Sequence, residues 1–368
     1  MSVRSGGALR QDRSGLVMFK ALNRLSGSTL LAIILVGLVL MRLVATLVTP
    51  LNLGPDEAQY WRWGQSLDWG YYSKPPLIAW MIAATTSLFG DAEWAVRLYA
   101  PFGHAVAGVF LFLLGREAYD ERTGFWAAMA YMLMPGVWLS SGIISTDGLL
   151  LHCWSAALYL LWRQRRHSTW LQATGLGIAI GLAFLAKYAA LYLLAGIGLA
   201  SVFDGPTRKA LLSAKTLATL AFAALLITPN ILWNAANNFA TVSHTGDNIK
   251  WEDPGLNFHH FPKFITDQMG VFGPISFVIL VMGLVFVTPK TDRASGRKDI
   301  WLLYFILPAL IAIGAQAIIS RAHANWAASA YPAASVLVAA WALRANWLRF
   351  LQVGLAVNLV VGAAFMVL

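Results

Sequence analysis

The stretch Thr29–Val48, TLLAIILVGLVLMRLVATLV, holds a single charged residue, Arg42, and runs directly into residues 49–76, TPLNLGPDEAQYWRWGQSLDWGYYSKPP. About 20 helical residues at ~1.5 Å each reach ~30 Å, the thickness of a bilayer's hydrocarbon core. The first stretch therefore reads as a membrane-crossing helix, and the acidic, aromatic segment after it as a loop at a membrane face.

The rest of the chain repeats this contrast. Hydrophobic residues make up 58% and charged residues 12% of the sequence, against about 25% charged in soluble domains, and the mean hydropathy is +0.62. These values imply an integral membrane protein. The apolar residues come in runs of roughly 16 to 22 rather than in short alternating segments, so the expected fold is an all-α bundle and not a β-barrel. Spans are expected near 29–48, 95–115, 124–140, 147–162, 170–186, 188–203, 211–232, 271–288, 300–319, 326–343 and 350–368, about eleven transmembrane helices.

The charges support the same path. The net charge is +10, but Arg and Lys cluster between spans: Arg116 and Arg122; Arg163, Arg165 and Arg166; Arg208, Lys209 and Lys215; Lys290, Arg293, Arg297 and Lys298; Arg344 and Arg349. With the N-terminus inside, all of these fall on the cytoplasmic side, so the charge reports topology rather than a nucleic-acid partner. Residues 1–28, with Arg4, Arg10, Arg13, Lys20 and Arg24, read as a basic cytoplasmic tail, because the following span is too long for the ~7–15-residue core of a signal peptide. Residues 29–343 form the transmembrane body, and 344–368 a short turn and a last span. Trp170–Phe203 is too long for one crossing and has basic clusters at both ends, so it is expected to be a hairpin turning at Lys187 and Tyr188. Cys153 is the only cysteine, which rules out a disulfide within the chain.

The outward loops are then 49–94, 141–146, the Lys187 turn, 233–270 and 320–325. In the first, Asp56–Trp69 suits an interfacial amphipathic helix, and PPLIAWMIAATTSLFG after it is apolar but short for a span. Ten of the 17 acids lie in or beside these segments: Asp56, Glu57, Asp68, Asp91, Glu93, Asp147, Asp247, Glu252, Asp253 and Asp267. Polar chemistry is thus expected at the outward face.

Adjacent carboxylates on a helix point about 100° apart, so of Asp56 and Glu57 one is expected to act as a base while the other orients or caps the helix. Lys187 sits between GLAFLA and AALYLLAG, where a lysine is costly unless it meets an anion or snorkels to the headgroups. Together with Lys74, Arg321 and His323 it could form a receptor for a phosphate at the membrane boundary. Asp147 opens an apolar span, with Ser145 or Thr146 as rival caps. Arg97 and His104 lie two turns apart and could face the interior. Tyr60, Trp61 and Trp63 could stack on a substrate or merely anchor the helix. His259 and His260, beside Glu252 and Asp253, lack the spacing of a metal motif, and no nucleotide-binding motif occurs.

The motifs DExxYW at Asp56–Trp61, KPP at Lys74–Pro76, TDG at Thr146–Gly148, LAKY at Leu185–Tyr188 and HANWxxxAYP at His323–Pro332 resemble the polyprenyl-phosphate-dependent GT-C glycosyltransferases. The branch they look most like groups protein mannosyltransferase-like enzymes with lipid A aminoarabinose transferases and galacturonosyltransferases. That resemblance implies a polytopic GT-C bundle in a bacterial inner membrane, with an extracytoplasmic site. Its donor would be a polyprenyl-phosphate-linked sugar and its acceptor a lipid-linked glycan or protein, with inversion at the sugar.

By the same resemblance Asp56 matches the catalytic aspartate, Lys74 and Lys187 the donor-phosphate lysines, and Asp147 an aspartate opening the corresponding span. Arg321 would join the lysines at the phosphate, and Tyr60, Trp61, His104, Asp147, His323 and Asn325 would line the substrate site. The aminoarabinose branch has Arg and Glu where this chain has Gln59 and Ser73. The sequence stops at Leu368, without the outward C-terminal domain of longer relatives, so acceptor recognition is expected from loops 49–94 and 233–270. This chemistry requires no cofactor, and no motif calls for a divalent metal, although one would be compatible. The rival reading is a transporter or lipid flippase that moves an anionic lipid without bond breaking, but the internal repeats common in transporters are missing.

Overall fold

The computed structural model describes residues 26–249, 258, 260–287 and 292–367, and every regular element among them is helical. The basic tail before Ser26, together with Glu252, Asp253, His259 and Lys290, lies outside the described residues. The first span, α1 (Gly27–Val48), begins at Ser26, whose hydroxyl accepts from Thr29 N at 3.2 Å. Three short helices follow in the first loop, α2 (Pro55–Gly64), α3 (Leu77–Phe89) and α4 (Glu93–Arg97), before α5 (Tyr99–Ala118). The expected Asp56–Trp69 helix thus stops at Gly64. Beyond it Tyr71 gathers the chain: its hydroxyl accepts from Asp68 N and reaches the carbonyls of Trp63 and Ser66, all at 3.1 Å.

The stretch expected as one span at 124–140 is two helices, α6 (Glu121–Met132) and α7 (Pro135–Gly142). Pro135 disfavours helical geometry at Met134, which is extended at φ −68°, ψ 142°. A bend of 119° separates α7 from α8 (Thr146–Arg166). The stretch expected as a hairpin follows as two helices, α9 (Trp170–Ala186) and, after a 3₁₀ turn (Tyr188–Ala190), α10 (Leu191–Phe203), with the expected break at Lys187 made by extended backbone (φ −163°, ψ 137°).

Next come α11 (Gly205–Leu211), α12 (Thr216–Ala236), α13 (Ala240–Ile249) and α14 (His260–Phe272). The last two are helices where 233–270 was expected to be loop. Gly273, at φ +92°, turns the chain by 111° into α15 (Pro274–Met282), extended by a π turn through Val287. The rest comprises α16 (Arg293–Ile319), a 3₁₀ helix (Ala324–Ala330), α17 (Tyr331–Arg344) and α18 (Leu348–Val367).

Helices occupy all eleven expected stretches. Among the described residues five are long and apolar enough to cross a membrane alone, or up to eight if each bent pair is one span. The exact number of crossings therefore stays an expectation. Apolar side chains also cover the outside: α1 exposes Ile33, Val36, Leu40, Val44 and Leu47, and α12 exposes Leu217, Leu220, Leu225, Ile231 and Leu232. Such surfaces suit lipid, since helices that satisfy their own backbone need no water there. At the centre lies α17, where Ala333, Ala334, Val336, Leu337, Val338, Ala339, Trp341 and Ala342 are all fully buried.

Polar side chains collect at two opposite ends. At one, Arg165 grips Asp204 (2.7 and 2.9 Å), and Asp204 accepts from Thr207 Oγ1 at 2.7 Å, while Arg163 meets Glu117 at 3.0 Å. At that same end Asp299, fully buried, accepts from Tyr119 at 2.6 Å, Trp341 Nε1 at 2.9 Å and both terminal nitrogens of Arg344. This pins α5, α16 and α17 together. Asp299→Leu would leave Arg344 without its buried counter-charge, at a cost of about 3–5 kcal/mol. Thermal unfolding in detergent should show a clearly lowered midpoint, and an unchanged one would mean that the three helices do not depend on the cluster.

Candidate active site

The opposite end holds the residues singled out by their chemistry. Pro55 starts α2, and the two carboxylates after it diverge as their spacing requires. Glu57 turns inward, 4% exposed, and Asp56 outward into solvent. Glu57 Oε2 accepts from Gly54 N at 3.1 Å and from Arg97 Nη2 at 2.8 Å, and Oε1 accepts from Arg97 Nε at 2.9 Å and Ile144 N at 3.0 Å. Arg97 also donates to the carbonyls of Leu51 (3.1 Å) and Asn52 (2.9 Å). One ion pair therefore ties together the start of α2, the helix α4 and the link before α8. Glu57, expected as half of a catalytic pair, has both carboxylate oxygens engaged by these bonds.

Asp56 is left open. One turn on, Tyr60 is 3% exposed, its hydroxyl in the field of Asp56 and of Asp147. Burial first, then those two carboxylates, push the Tyr60 phenol well above its ordinary range, so it stays a neutral donor. A ring this enclosed has no face for stacking, which corrects the expectation for Tyr60. Trp61 is committed elsewhere, its Nε1 donating to Asp91 at 2.8 Å. His104, another expected substrate contact, is fully buried between Tyr131 Oη and Ser140 Oγ, each at 2.8 Å, and no ligand reaches it.

The start of α8 supplies the second carboxylate. Ser145 caps the helix by accepting from Gly148 N at 3.2 Å, which frees Asp147. Asp147 Oδ1 accepts from Lys187 Nζ at 2.7 Å and Oδ2 from Asn325 Nδ2 at 2.8 Å. The break between α9 and its 3₁₀ turn aims Lys187 at α8, and the next residue, Tyr188, donates to Asn230 Oδ1 at 2.9 Å and accepts from Asn234 Nδ2 at 3.0 Å on α12. Asn230 in turn donates to Trp69 O at 2.6 Å, so the LAKY motif also docks the first loop.

Lys74 projects from that loop, half-buried, and its ammonium has no hydrogen-bonded partner among the described residues. Burial first and then Lys187 lower its pKa from the ordinary lysine value, with Asp56 and Asp147 acting the other way. Lys74 thus lies within the electrostatic reach of both carboxylates and the second lysine. Arg321 and His323 are exposed beside Asn325, 3.4 Å from each other. Burial, then Arg321, then Lys187 push His323 below its usual range, so at neutral pH it offers a hydrogen bond and no charge. Among the described residues no three His, Cys, Asp or Glu side chains gather into a metal site. Sequence reasoning missed Asp68, Asn230, Trp233 and Asn234, which hold the loop from as far as 165 residues away; nothing local in the sequence signals such pairings.

A family model described as dolichyl-phosphate-mannose-protein mannosyltransferase matches residues 73–233, the part carrying Lys74, Asp147 and Lys187. The lipid A galacturonosyltransferase RgtD of Rhizobium johnstonii is 35% identical over 327 residues, spanning 89% of this chain and 68% of that protein. The chain belongs to the GT-C glycosyltransferases. A further relative, the undecaprenyl phosphate-alpha-4-amino-4-deoxy-L-arabinose arabinosyl transferase of Yersinia enterocolitica, is 27% identical over 179 residues, 44% of this chain and 32% of its own length. In fold the chain is similar to the crystal structure of ArnT from Cupriavidus metallidurans bound to undecaprenyl phosphate, with a TM-score of 0.67 at 16% identity over 85% of this chain and 60% of that one. The GT-C fold accounts for the membrane-embedded bundle and for a site built at one end of it.

The clasp under Asp56 has a measurable strength. In a double-mutant cycle over Glu57→Gln and Arg97→Gln, each single change should cost about 3 kcal/mol by stranding a buried partner, and the pair far less than the sum. Additive losses in detergent unfolding would show that the two side chains do not act as one unit.

Proposed function

We propose that this GT-C enzyme transfers a sugar from a polyprenyl-phosphate donor to a hydroxyl of an acceptor at the outer face of a bacterial inner membrane, with inversion and with Asp56 as general base. The observation that carries the reading is the division between the two adjacent carboxylates: Glu57 is locked by Arg97, while Asp56 stands exposed in the field of Tyr60 and Lys74. In the step itself the acceptor oxygen bonds to the anomeric carbon as its proton passes to Asp56. The bond from that carbon to the phosphate oxygen breaks, and the electron pair leaves on a polyprenyl phosphate monoester. Lys74 and Lys187, with Arg321 at the rim, face that developing charge, and Asp147 and Asn325 hold Lys187 in place. The positive-inside distribution of Arg and Lys supports an N-terminus inside and this site outside.

Lipid A or a related lipopolysaccharide glycan is the acceptor we favour, and a uronic acid the sugar, because the 35% identical relative is named for transferring galacturonic acid to lipid A. Asn or Glu substitutions at Asp56 test the base. With purified protein in nanodiscs, a polyprenyl-phosphate galacturonosyl donor and lipid A, Asp56→Asn should slow release of free polyprenyl phosphate about 10²–10⁴-fold while still binding donor. Turnover within a few-fold of the unchanged enzyme would remove Asp56 from that role.

The lowered pKa of Lys74 sets a pH dependence. A lysine must be protonated to hold phosphate, so donor affinity should be full at neutral pH and fall as pH rises, beginning below the range where an ordinary lysine titrates. Lys74→Arg keeps its charge throughout and should move the fall to higher pH. An identical profile for both proteins would mean that Lys74 does not meet the phosphate.

A further inference from the structure

Beyond Lys74 the first loop leads into a second cavity that the proposed step does not use. It has a volume of about 450 Å³ and is lined by Arg62, Trp63, Gln65, Ser66, Asp68, Gly70, Tyr71, Tyr72 and Trp233. That volume falls in the ~300–1,000 Å³ range of small-molecule sites. Aromatic walls alternate with hydrogen-bonding groups: Trp63 stacks on Tyr71 with centroids 4.8 Å apart, and Tyr72, 63% exposed, leans on His244. Arg62 is exposed, and its guanidinium makes no hydrogen bond or ion pair among the described residues.

The walls are held more firmly than an outward loop needs for its own sake. Asp68 Oδ2 accepts from Trp233 Nε1 at 2.7 Å and Oδ1 from Trp69 N at 2.7 Å. Both oxygens of the cleft's own carboxylate thus accept from neutral N–H groups, so the Arg62 guanidinium is the charged group there whose donors stay unused. The Trp233 ring lies so close to Gly70 that a Cβ there would sit 2.3 Å from it, so the indole fits only against glycine. Thr241 on α13 donates to Tyr71 O, and Trp80 Nε1 donates to Asp68 O at 2.9 Å. The aromatic faces are therefore set before any ligand arrives, which lowers the ordering cost of binding.

We propose that this cleft is a saccharide-binding subsite that seats an anionic sugar of the acceptor, with Arg62 on its phosphate and the rings of Tyr72 and Trp233 against its C–H faces. The chemistry follows from the lining. A sugar ring presents an apolar face and a polar edge, and the cleft offers aromatic planes beside an amide, a hydroxyl and a guanidinium. The placement follows from the loop: Lys74, whose carbonyl accepts from Tyr71 N at 3.1 Å, joins the cleft wall to the lysine–carboxylate cluster, while Arg62, six residues from Asp56 on α2, lies about 9 Å along the axis and about 120° around it. The inference deepens the proposed function, because it assumes that the acceptor is a charged glycan.

Binding can be read apart from catalysis. The probes are the deacylated, water-soluble oligosaccharide of lipopolysaccharide and the same oligosaccharide after enzymatic dephosphorylation, titrated by isothermal calorimetry into the purified full-length protein and into Asp56→Asn in nanodiscs. Both proteins should bind the phosphorylated probe alike. Arg62→Ala should weaken that probe by about tenfold or more, the size of a lost charge-assisted bond, and change the dephosphorylated probe little. Tyr72→Ala should weaken both. If neither variant shifts either affinity, or if the unchanged protein binds neither probe, the subsite is overturned. If the variants behave as stated while Asp56→Asn keeps full turnover, the base assignment falls and the cleft stands. A loss confined to the polyprenyl-phosphate galacturonosyl donor, with both oligosaccharides unaffected, would assign Arg62 to the donor sugar and overturn the acceptor assignment.

Discussion

A charge or open backbone group inside a membrane protein must find a partner within the protein, because the hydrocarbon around it offers none. This constraint arranges the whole molecule. Between its ends the bundle buries mostly apolar side chains; Arg42, fully buried in α1, donates from one guanidinium nitrogen to Met132 O at 2.7 Å and lies over the Trp138 ring at 4.8 Å, while its Nε and Nη1 and both ring nitrogens of His152 make no hydrogen bond among the described residues. The charged side chains are pushed to two ends, where they pair. At one end the pairs fasten helices, as Asp299 and Asp204 do. At the other they pair as Lys187 and Asp147 do, and leave Lys74 without a hydrogen-bonded partner among the described residues.

Asp56 and Glu57 show how one dipeptide serves two purposes. Their divergence by about 100° on a helix makes it impossible for both to face the same atom, and the structure gives each a separate environment. Glu57 accepts four hydrogen bonds and disappears from the surface. Because those bonds come from Gly54, Arg97 and Ile144, the start of α2 is held against α4 and the link before α8, and Asp56 inherits that fixed position. Tyr60 and Asp147 then complete a line of oxygen groups that reaches Lys187. A carboxylate placed this way keeps its geometry without being buried itself and stays open to a hydroxyl.

Much of this was legible in the sequence, for reasons tied to particular residues. Composition and run length sufficed for a helical membrane bundle, and the lone lysine in LAKY announced a nearby anion, which proved to be Asp147. Short motifs pointed to the right end of the molecule, since Asp56, Lys74, Asp147, Lys187 and Asn325 do converge there. What could not be read was the competition for each side chain. Tyr60, Trp61 and His104 look like substrate contacts by type and place, yet each is enclosed or already bonded. Such partnerships form between segments 27 to 40 residues apart for His104 with Tyr131 and Glu57 with Arg97, and no local periodicity encodes them. The breaks within 124–140 and at Gly273 were visible as Pro135 and Gly273, but hydropathy averaged over a window conceals a single residue.

Those breaks explain why the site lies where it does. Irregular backbone at membrane depth is tolerated only when its freed groups are bonded inside the protein. At the functional end the bonds come from side chains: Glu57 accepts from Ile144 N, Arg97 donates to Leu51 O and Asn52 O, Asn230 to Trp69 O, and Gln268 to Ala324 O at 3.1 Å. Several of these bonds lie beside a residue of the proposed site. Asp56 follows the chain that Arg97 holds, Asp147 follows Ile144, and Asn325 follows Ala324. The same polar side chains that make the helix breaks tolerable therefore also set the distances between the groups that would act on a substrate. In a uniform bundle of straight helices neither those side chains nor that convergence would be needed, and a site of this kind could not be assembled.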